Sequence, residues 1–421
     1  MPNVKISQLD EVLFADLQPS DLLVVTRAGV NNYKMTMQEL LSGLVAPIYV
    51  AQTVFVDSLY GDDSTALRER QDKPFQSVDA AVLAAQYGDT IKLRAGQHYI
   101  FTSVGKDGIK IDGETGSEVY CFTTLMNFDT TIGGETLTTP FAWTGHTRIM
   151  QCTGNLINVK SNPSANILLE FDSVQVNNIS NGILAQDGTI FLKIRENYTC
   201  AGRNFSTRLT GKIFADIGGD CTGTFANASN GVFWISGTSW SGQANIKAKS
   251  FVIPSNVVGG FSCHIYCDNL VGFNLNIELD ELIDTSNVAQ PAIRINNAFT
   301  NTGAKINIRI KKTQTTRPLF NIQNAKADVT LQVDEGVSSG TSTVVAGLLK
   351  LKNSLVKNTT VIPVSVSGGT LSLMSTTVVS DGAATTINNA GGSVLSEGSK
   401  GNVAPIGIIT GNFYVNPLYT N

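Results

Sequence analysis

From about residue 101 onward the chain alternates. Apolar side chains fall at every second position in Ile167-x-Leu169-x-Phe171, Ile190-x-Leu192-x-Ile194 and Ile213-x-Ala215-x-Ile217. The same holds in Phe273-x-Leu275-x-Ile277, Ile306-x-Ile308-x-Ile310 and Val329-x-Leu331-x-Val333. A period of two predicts strands with one buried face. A second series lies between them: Ile157-Asn158-Val159, Ile293-Arg294-Ile295-Asn296-Asn297, Phe320-Asn321-Ile322-Gln323-Asn324 and Leu349-Lys350-Leu351-Lys352-Asn353. Starts in the first series are 23 residues apart from 167 to 190, from 190 to 213 and from 306 to 329; in the second, 293 to 320 is 27 and 320 to 349 is 29. Two interleaved series on one period of ~20–30 residues predict solenoid coils, in which each coil buries its inward face only by stacking on the next. A β-sandwich also has short alternating strands. It explains neither the interleaving nor the lack of a predicted helix after residue 88. The expectation is an all-β parallel β-helix over 101–400.

Asparagine marks the same region, with 4 in the first 150 residues and 31 in the remaining 271. It suits sharp corners because it tolerates a left-handed backbone, and its amides can stack in ladders from coil to coil. The run Pro405-Ile406-Gly407-Ile408-Ile409 … Phe413-Tyr414-Val415 in 401–421 is expected to cap the column or mediate oligomerisation, because an open strand edge invites pairing.

Two shorter segments precede the coils. In residues 1–45, Val4–Leu9 and Asp21–Thr26 read as strands, and Thr36-x-x-Glu39 has the spacing of a capping box before a helix over 37–42 that stops at Gly43. In residues 46–100, Phe55-Val56-Asp57 and Asp89–Leu93 read as strands. Ser77 is placed as an N-cap, with Val78, Ala81, Val82 and Ala85 forming one apolar stripe and Gly88 ending the helix. Such a helix would cover the exposed end of the column as a lid.

Composition narrows the chemistry. Charged residues are 15% of the chain and the net charge is −4, with no Lys/Arg-rich run. A nucleic-acid or anionic-membrane surface is not expected. No stretch approaches the ~20 apolar residues of a membrane span, and no secretory signal core follows Met1. Six cysteines form no CxxC pair. Cys263 and Cys267 flank His264, but on one strand their sulfurs would lie ~13 Å apart at ~3.3 Å per residue, too far to share one zinc. No metal or cofactor is implied.

The stretch Phe55-Val56-Asp57 … Gly61-Asp62-Asp63-Ser64 … Lys73-Pro74-Phe75-Gln76-Ser77-Val78 … Gly88-Asp89-Thr90-Ile91 … Gly96-Gln97-His98-Tyr99 resembles the opening of right-handed parallel β-helix proteins of the pectate-lyase-like class. It departs from the usual pattern at Ser77-Val78, where Thr-Ile is common, and at Ala95, where Pro is common. The first segment, through Lys5-Ile6-Ser7-Gln8-Leu9, Asp21-Leu22-Leu23-Val24-Val25 and Lys34-Met35-Thr36-Met37-Gln38-Glu39-Leu40-Leu41, resembles the N-terminal modules of bacteriophage tail fibres and tailspikes. Together the two cover about the first hundred residues. They imply a homotrimeric virion protein that docks through Ile6, Leu9, Leu22, Leu23, Leu40 and Leu41 on tail, collar or head proteins and presents a β-helical body to host polysaccharide. An extracellular adhesin is the weaker alternative, for want of a signal peptide.

Many β-helical tailspikes cleave polysaccharides, which makes a depolymerase the other reading. Glu278 and Asp280 would project outward if Leu275, Ile277 and Leu279 face in, ~6.5–7 Å apart along the strand. That separation is legal for glycoside hydrolysis. It is also the pattern of any solvated strand with alternating charge, which is the preferred reading. Glu170, Asp172, Asp187, Asp216 and Asp334 read as single outward carboxylates. No nucleophile elbow, P-loop, HExxH or dinucleotide fingerprint is present. The expectation is a non-enzymatic protein. For glycan binding the candidates are Trp234, expected to point outward between Phe233 and Ile235, together with Trp240 and Tyr266; packing between subunits or under a loop is the preferred reading of these rings.

Overall fold

The computed structural model describes residues 22–25, 33–36 and 51–416, apart from 179–180, 208, 225–230, 236–240, 256–262, 269–271, 287–289, 297–303, 324–327, 360, 362, 382 and 384. It divides into two units, Met1–Ala51 and Gln52–Asn421. In the first, the expected strand at Asp21–Thr26 is present as Leu22–Val25 and pairs antiparallel with Tyr33–Thr36, Leu22 opposite Thr36. Val4–Leu9, the helix over 37–42 and the docking positions Ile6, Leu9, Leu40 and Leu41 lie outside the described residues. Leu22 and Leu23 are on the first of the two strands.

The second unit is built almost wholly from parallel strands, as the alternation predicts. One large sheet contains twenty strands among the described residues, and a smaller sheet contains eleven. The smaller sheet runs in chain order, one strand per coil, from Met126–Asp129 to Ile387–Asn389. That ordering is the solenoid signature. In the large sheet two short strands of one coil can both pair with a single long strand of the next. Thr189–Ile194 and Tyr198–Cys200, for instance, both lie against Lys212–Gly223. The ring of pairings that results is therefore coil stacking, not a barrel wall.

Stacking aligns the inward residues into columns. Ile167, Ile190, Ile213, Ala244, Leu275, Ile306, Val329, Leu349, Leu371 and Val394 follow one another in register, all buried. Each full side chain contributes roughly 1.5–3 kcal/mol of burial. The long strands bend. In Asn274–Asp284 the buried positions run Leu275, Ile277, Leu279 and then Leu282, so the alternation shifts by one at Asp280-Glu281. That shift turns the strand through a corner and keeps both halves facing the core.

Two readings of the alternation need correction. Leu349-Lys350-Leu351 belongs to the large sheet, beside Val329 and Leu331, and not to the second series. The strand that follows Phe320–Ile322 in the small sheet is Ser342–Val344. An apolar-x-apolar triplet reads the same on either wall, so the pattern alone could not separate them. The first series also has a coil between 213 and 275, Gln243–Ile253, whose inward residues at 244 and 248 are alanines too small to stand out. Asparagine closes three strands of the second series as read from the sequence: Asn353 has φ 45°, in the left-handed region, and Asn297 and Asn324 lie outside the described residues.

The lid follows its sequence closely. Helix α1, Val78–Ala84, starts at Ser77, whose hydroxyl accepts from the Ala80 amide at 3.1 Å. Val78, Ala81, Val82 and Ala85 are buried as one stripe. Lys106 Nζ closes the other end by donating to the Val82 and Ala85 carbonyls at 3.0 and 2.6 Å, a favourable place for a cation. The helix ends at Ala85, which is extended, and not at Gly88; Gly88 makes the positive-φ turn that follows. In the polar loop only glycine fits position 61, where an added Cβ would meet the Phe75 carbonyl oxygen at 2.3 Å. A one-turn 3-10 helix, Thr130–Ile132, also falls after residue 88, where no helix was expected.

Candidate functional site

The first half of the long strands carries an open groove of about 710 Å³ on its outer face. Parallel in-register stacking forms it. Each coil contributes two outward side chains two residues apart, and successive coils repeat them ~4.8 Å further on. One row is apolar and then polar: Leu168, Phe191 and Phe214, followed by Asn245, Asn276 and Asn307. The other alternates in charge: Glu170, Lys193, Asp216, Lys247, Glu278 and Arg309.

At the apolar end Phe191 and Phe214 stack with centroids 5.1 Å apart and planes 14° from parallel. Leu168 and Phe191 remain 41% and 40% exposed, so the apolar end of this row is not sealed by the chain itself. At the polar end the asparagines form a ladder. Asn276 Nδ2 donates to Asn245 Oδ1 at 2.7 Å, and Asn307 Nδ2 donates to Asn276 Oδ1 at 3.0 Å. Each amide is fixed in orientation by its neighbours, yet keeps a second N–H and a second oxygen lone pair.

Glu278 and Asp280 both face outward, as the alternation predicts, and both have cations beside them. Asp280 is held by Lys311 Nζ at 2.6 Å, and Glu278 lies in the charged row between Lys247 and Arg309. Asp284, four residues further along the chain, is buried and bonded to Arg317 Nε. Glu170 and Asp172 are not single carboxylates. Arg195 bridges them, with Nη2 3.3 Å from Glu170 Oε2 and Nη1 3.0 Å from Asp172 Oδ1, and the same Nη1 donates to the Gly145 carbonyl at 2.7 Å. His146 Nδ1 lies 3.1 Å from Asp172 Oδ1. Asp187 is buried and accepts from the Asn162 amide at 3.0 Å, so it does not face outward.

The expected ring platform is also different. Trp234 is only 5% exposed: its ring stacks on Tyr266 at 3.9 Å between centroids, and Arg203 lies 4.8 Å over it. Register explains this, because Trp234 and Tyr266 are direct neighbours on adjacent strands and cover one another. Trp240 lies outside the described residues. Cys263 and Cys267 are free buried thiols; burial pushes Cys263 up to about 11 and Cys267 higher still, the opposite of what a thiolate ligand requires. Among the described residues no three His, Cys, Asp or Glu side chains gather to hold a metal, and no helix is long and apolar enough to cross a membrane.

The groove was not foreseen, although its signal is in the chain. Asn245-Ile246-Lys247, Asn276-Ile277-Glu278 and Asn307-Ile308-Arg309 repeat one triplet at intervals of 31 residues. The apolar positions from 167 to 213 repeat at 23 residues, a different interval from this one.

No protein-family model matches the chain, and no curated protein or solved structure matches it at a significant level.

Proposed function

We propose that this chain is a structural spike or fibre protein of a bacteriophage virion, a right-handed parallel β-helix that docks through residues 1–45 and presents its body to the host surface. One observation carries the reading. Parallel coils stack without a change of direction from Thr53 to Val415, and their outer rows are left exposed to meet something else. The resemblance of the first hundred residues to tail-fibre anchors and β-helix lids supplies the virion. A homotrimer fits the apolar exterior: Tyr99, Phe101 and Phe122 are exposed rings stacked beside Tyr120 on the early coils, and Ile408 and Tyr414 are exposed at the last strand. Closed symmetry buries such patches without building a filament. A non-enzymatic role is favoured because Asp280, Glu170 and Asp172 are each tied to a cation.

The test is deletion of residues 1–45. The truncated protein should remain a soluble trimer by sedimentation and be absent from purified particles. Incorporation at normal copy number, or a stable monomer, overturns the proposal.

A further inference from the structure

We infer that the two-row groove binds an extended, uncharged oligosaccharide lying across the strands, in the direction in which the coils stack. The inference deepens the host-attachment reading and rests on it only for the source of the glycan.

Three properties of the groove define the ligand. First, it is periodic. Equivalent outward positions recur once per coil over the six coils from Leu168 to Asn307, so the fitting ligand is a polymer of regularly spaced units about 24 Å long, from ~4.8 Å per strand step. Second, its charges cancel. Every cation in the second row has an acid as its register neighbour: Lys193 lies between Glu170 and Asp216, Lys247 between Asp216 and Glu278, and Arg309 beside Glu278. A polyanion gains no net field from such a row, and a nucleic-acid backbone needs a row of one sign. Third, the first row joins an apolar platform, Leu168 to Phe214, to amides that each offer both a donor and an acceptor. A sugar presents a C–H face for the one, and for the other hydroxyls that donate and accept together. A peptide adding as a strand needs a free sheet edge, whereas this groove lies on a sheet face whose backbone groups are used between coils.

The experiment uses the full chain on an immobilised panel of linear uncharged glucans, mannans and galactans, with hyaluronate and alginate as acidic polymers of similar length. Wild type should retain at least one uncharged member and neither acid. Asn276→Leu should weaken that binding about tenfold, the weight of one or two neutral hydrogen bonds. Phe191→Ser should weaken it comparably, and both variants should keep the wild-type melting profile because the two positions are exposed. Glu278→Lys should create salt-sensitive binding to alginate, because it places three cations in successive coils. Retention of no uncharged glycan, preference for the acids, or indifference to Asn276→Leu and Phe191→Ser overturns the inference. Virion incorporation is scored separately on the same variants. Groove variants that enter particles and adsorb to cells like wild type would sink the groove alone. Glycan binding by a protein absent from particles would sink the virion reading alone.

Discussion

The lid and the coils use polar groups in opposite ways. In the lid, single carboxylates each accept pairs of backbone amides: Asp57 from Leu59 and Tyr60, Asp63 from Gln76 and Ser77, Asp79 from Phe101 and Thr102, Asp89 from Gln52 and Gln86. Asp89 is fully buried and carries a bidentate Arg68 as well. The lid is thus stabilised at named positions by side chains that accept backbone amides. The coils are stabilised by columns in which leucine, isoleucine, valine and phenylalanine exchange from coil to coil, and most of their charge stays outside. The difference teaches why the helical segment is legible residue by residue while the coils are legible only by their period.

A buried cluster of charged and titratable groups in the coils departs from this pattern and gives the largest expected effect. Asp284, Arg317 and His264 are buried together: Asp284 accepts from Arg317 Nε and from the Ser286 amide at 2.9 Å, Arg317 Nη2 lies 3.5 Å from His264 Nδ1, and His264 Nε2 donates to the Ile283 carbonyl at 2.8 Å. Asp284→Ala leaves a guanidinium buried without its carboxylate, and the expected loss is about 3–5 kcal/mol in urea unfolding. A loss below about 1 kcal/mol would show that this cluster is as replaceable as the apolar columns around it.

The same cluster sharpens the comparison through pH. Burial holds His264 down at about 4, with the Arg317 charge acting in the same direction and Asp284 opposing it. In the unfolded chain the ordinary value is about 6.5. The folded value is the lower one, so acid favours the unfolded chain, which takes up the proton first. Stability contributed by neutral His264 is complete above pH 6.5 and is lost as pH falls toward 4, by about 3 kcal/mol at that point. His98 in the lid is also lowered by burial and adds to the loss in the same direction. Urea midpoints measured from pH 7 to pH 4 should fall along this course. The slope should flatten in His264→Phe, and an unchanged slope would remove the coil histidine from the account.

Legibility followed the same division. Ser77 and the stripe Val78, Ala81, Val82 and Ala85 were readable because capping and helical spacing constrain residue type at fixed positions. The column Ile167, Ile190, Ile213 was readable from its period. The walls of the coil were not, as Leu349 shows, because inward alternation is the same on each. The groove was missed for a related reason. Outward residues answer to register between coils, and register became visible only once the weak Ala244–Ala248 coil was counted. Trp234 was misplaced because the neighbour that covers it is 32 residues away in the chain and adjacent only across the strands.

The smallest expected effect tests whether lid and coils are separate cooperative units. Ser77 Oγ accepts from the Ala80 amide and donates to Asp63 Oδ2 at 2.7 Å, while Asp63 Oδ1 accepts from the Gln76 and Ser77 amides at 2.7 and 3.0 Å. Ser77→Ala removes both hydroxyl bonds and leaves the two amide bonds to Asp63 in place. The expected cost is about 1 kcal/mol, the usual value for a lost N-cap. In native-state hydrogen exchange the amides of 80–85 should lose protection by that amount. Those of the strands Asn274–Asp284 and Lys305–Thr315, stabilised by stacking on their neighbours, should exchange as in wild type. Equal loss in both places would mean that the cap is felt along the whole column, and that the lid is simply its first coil.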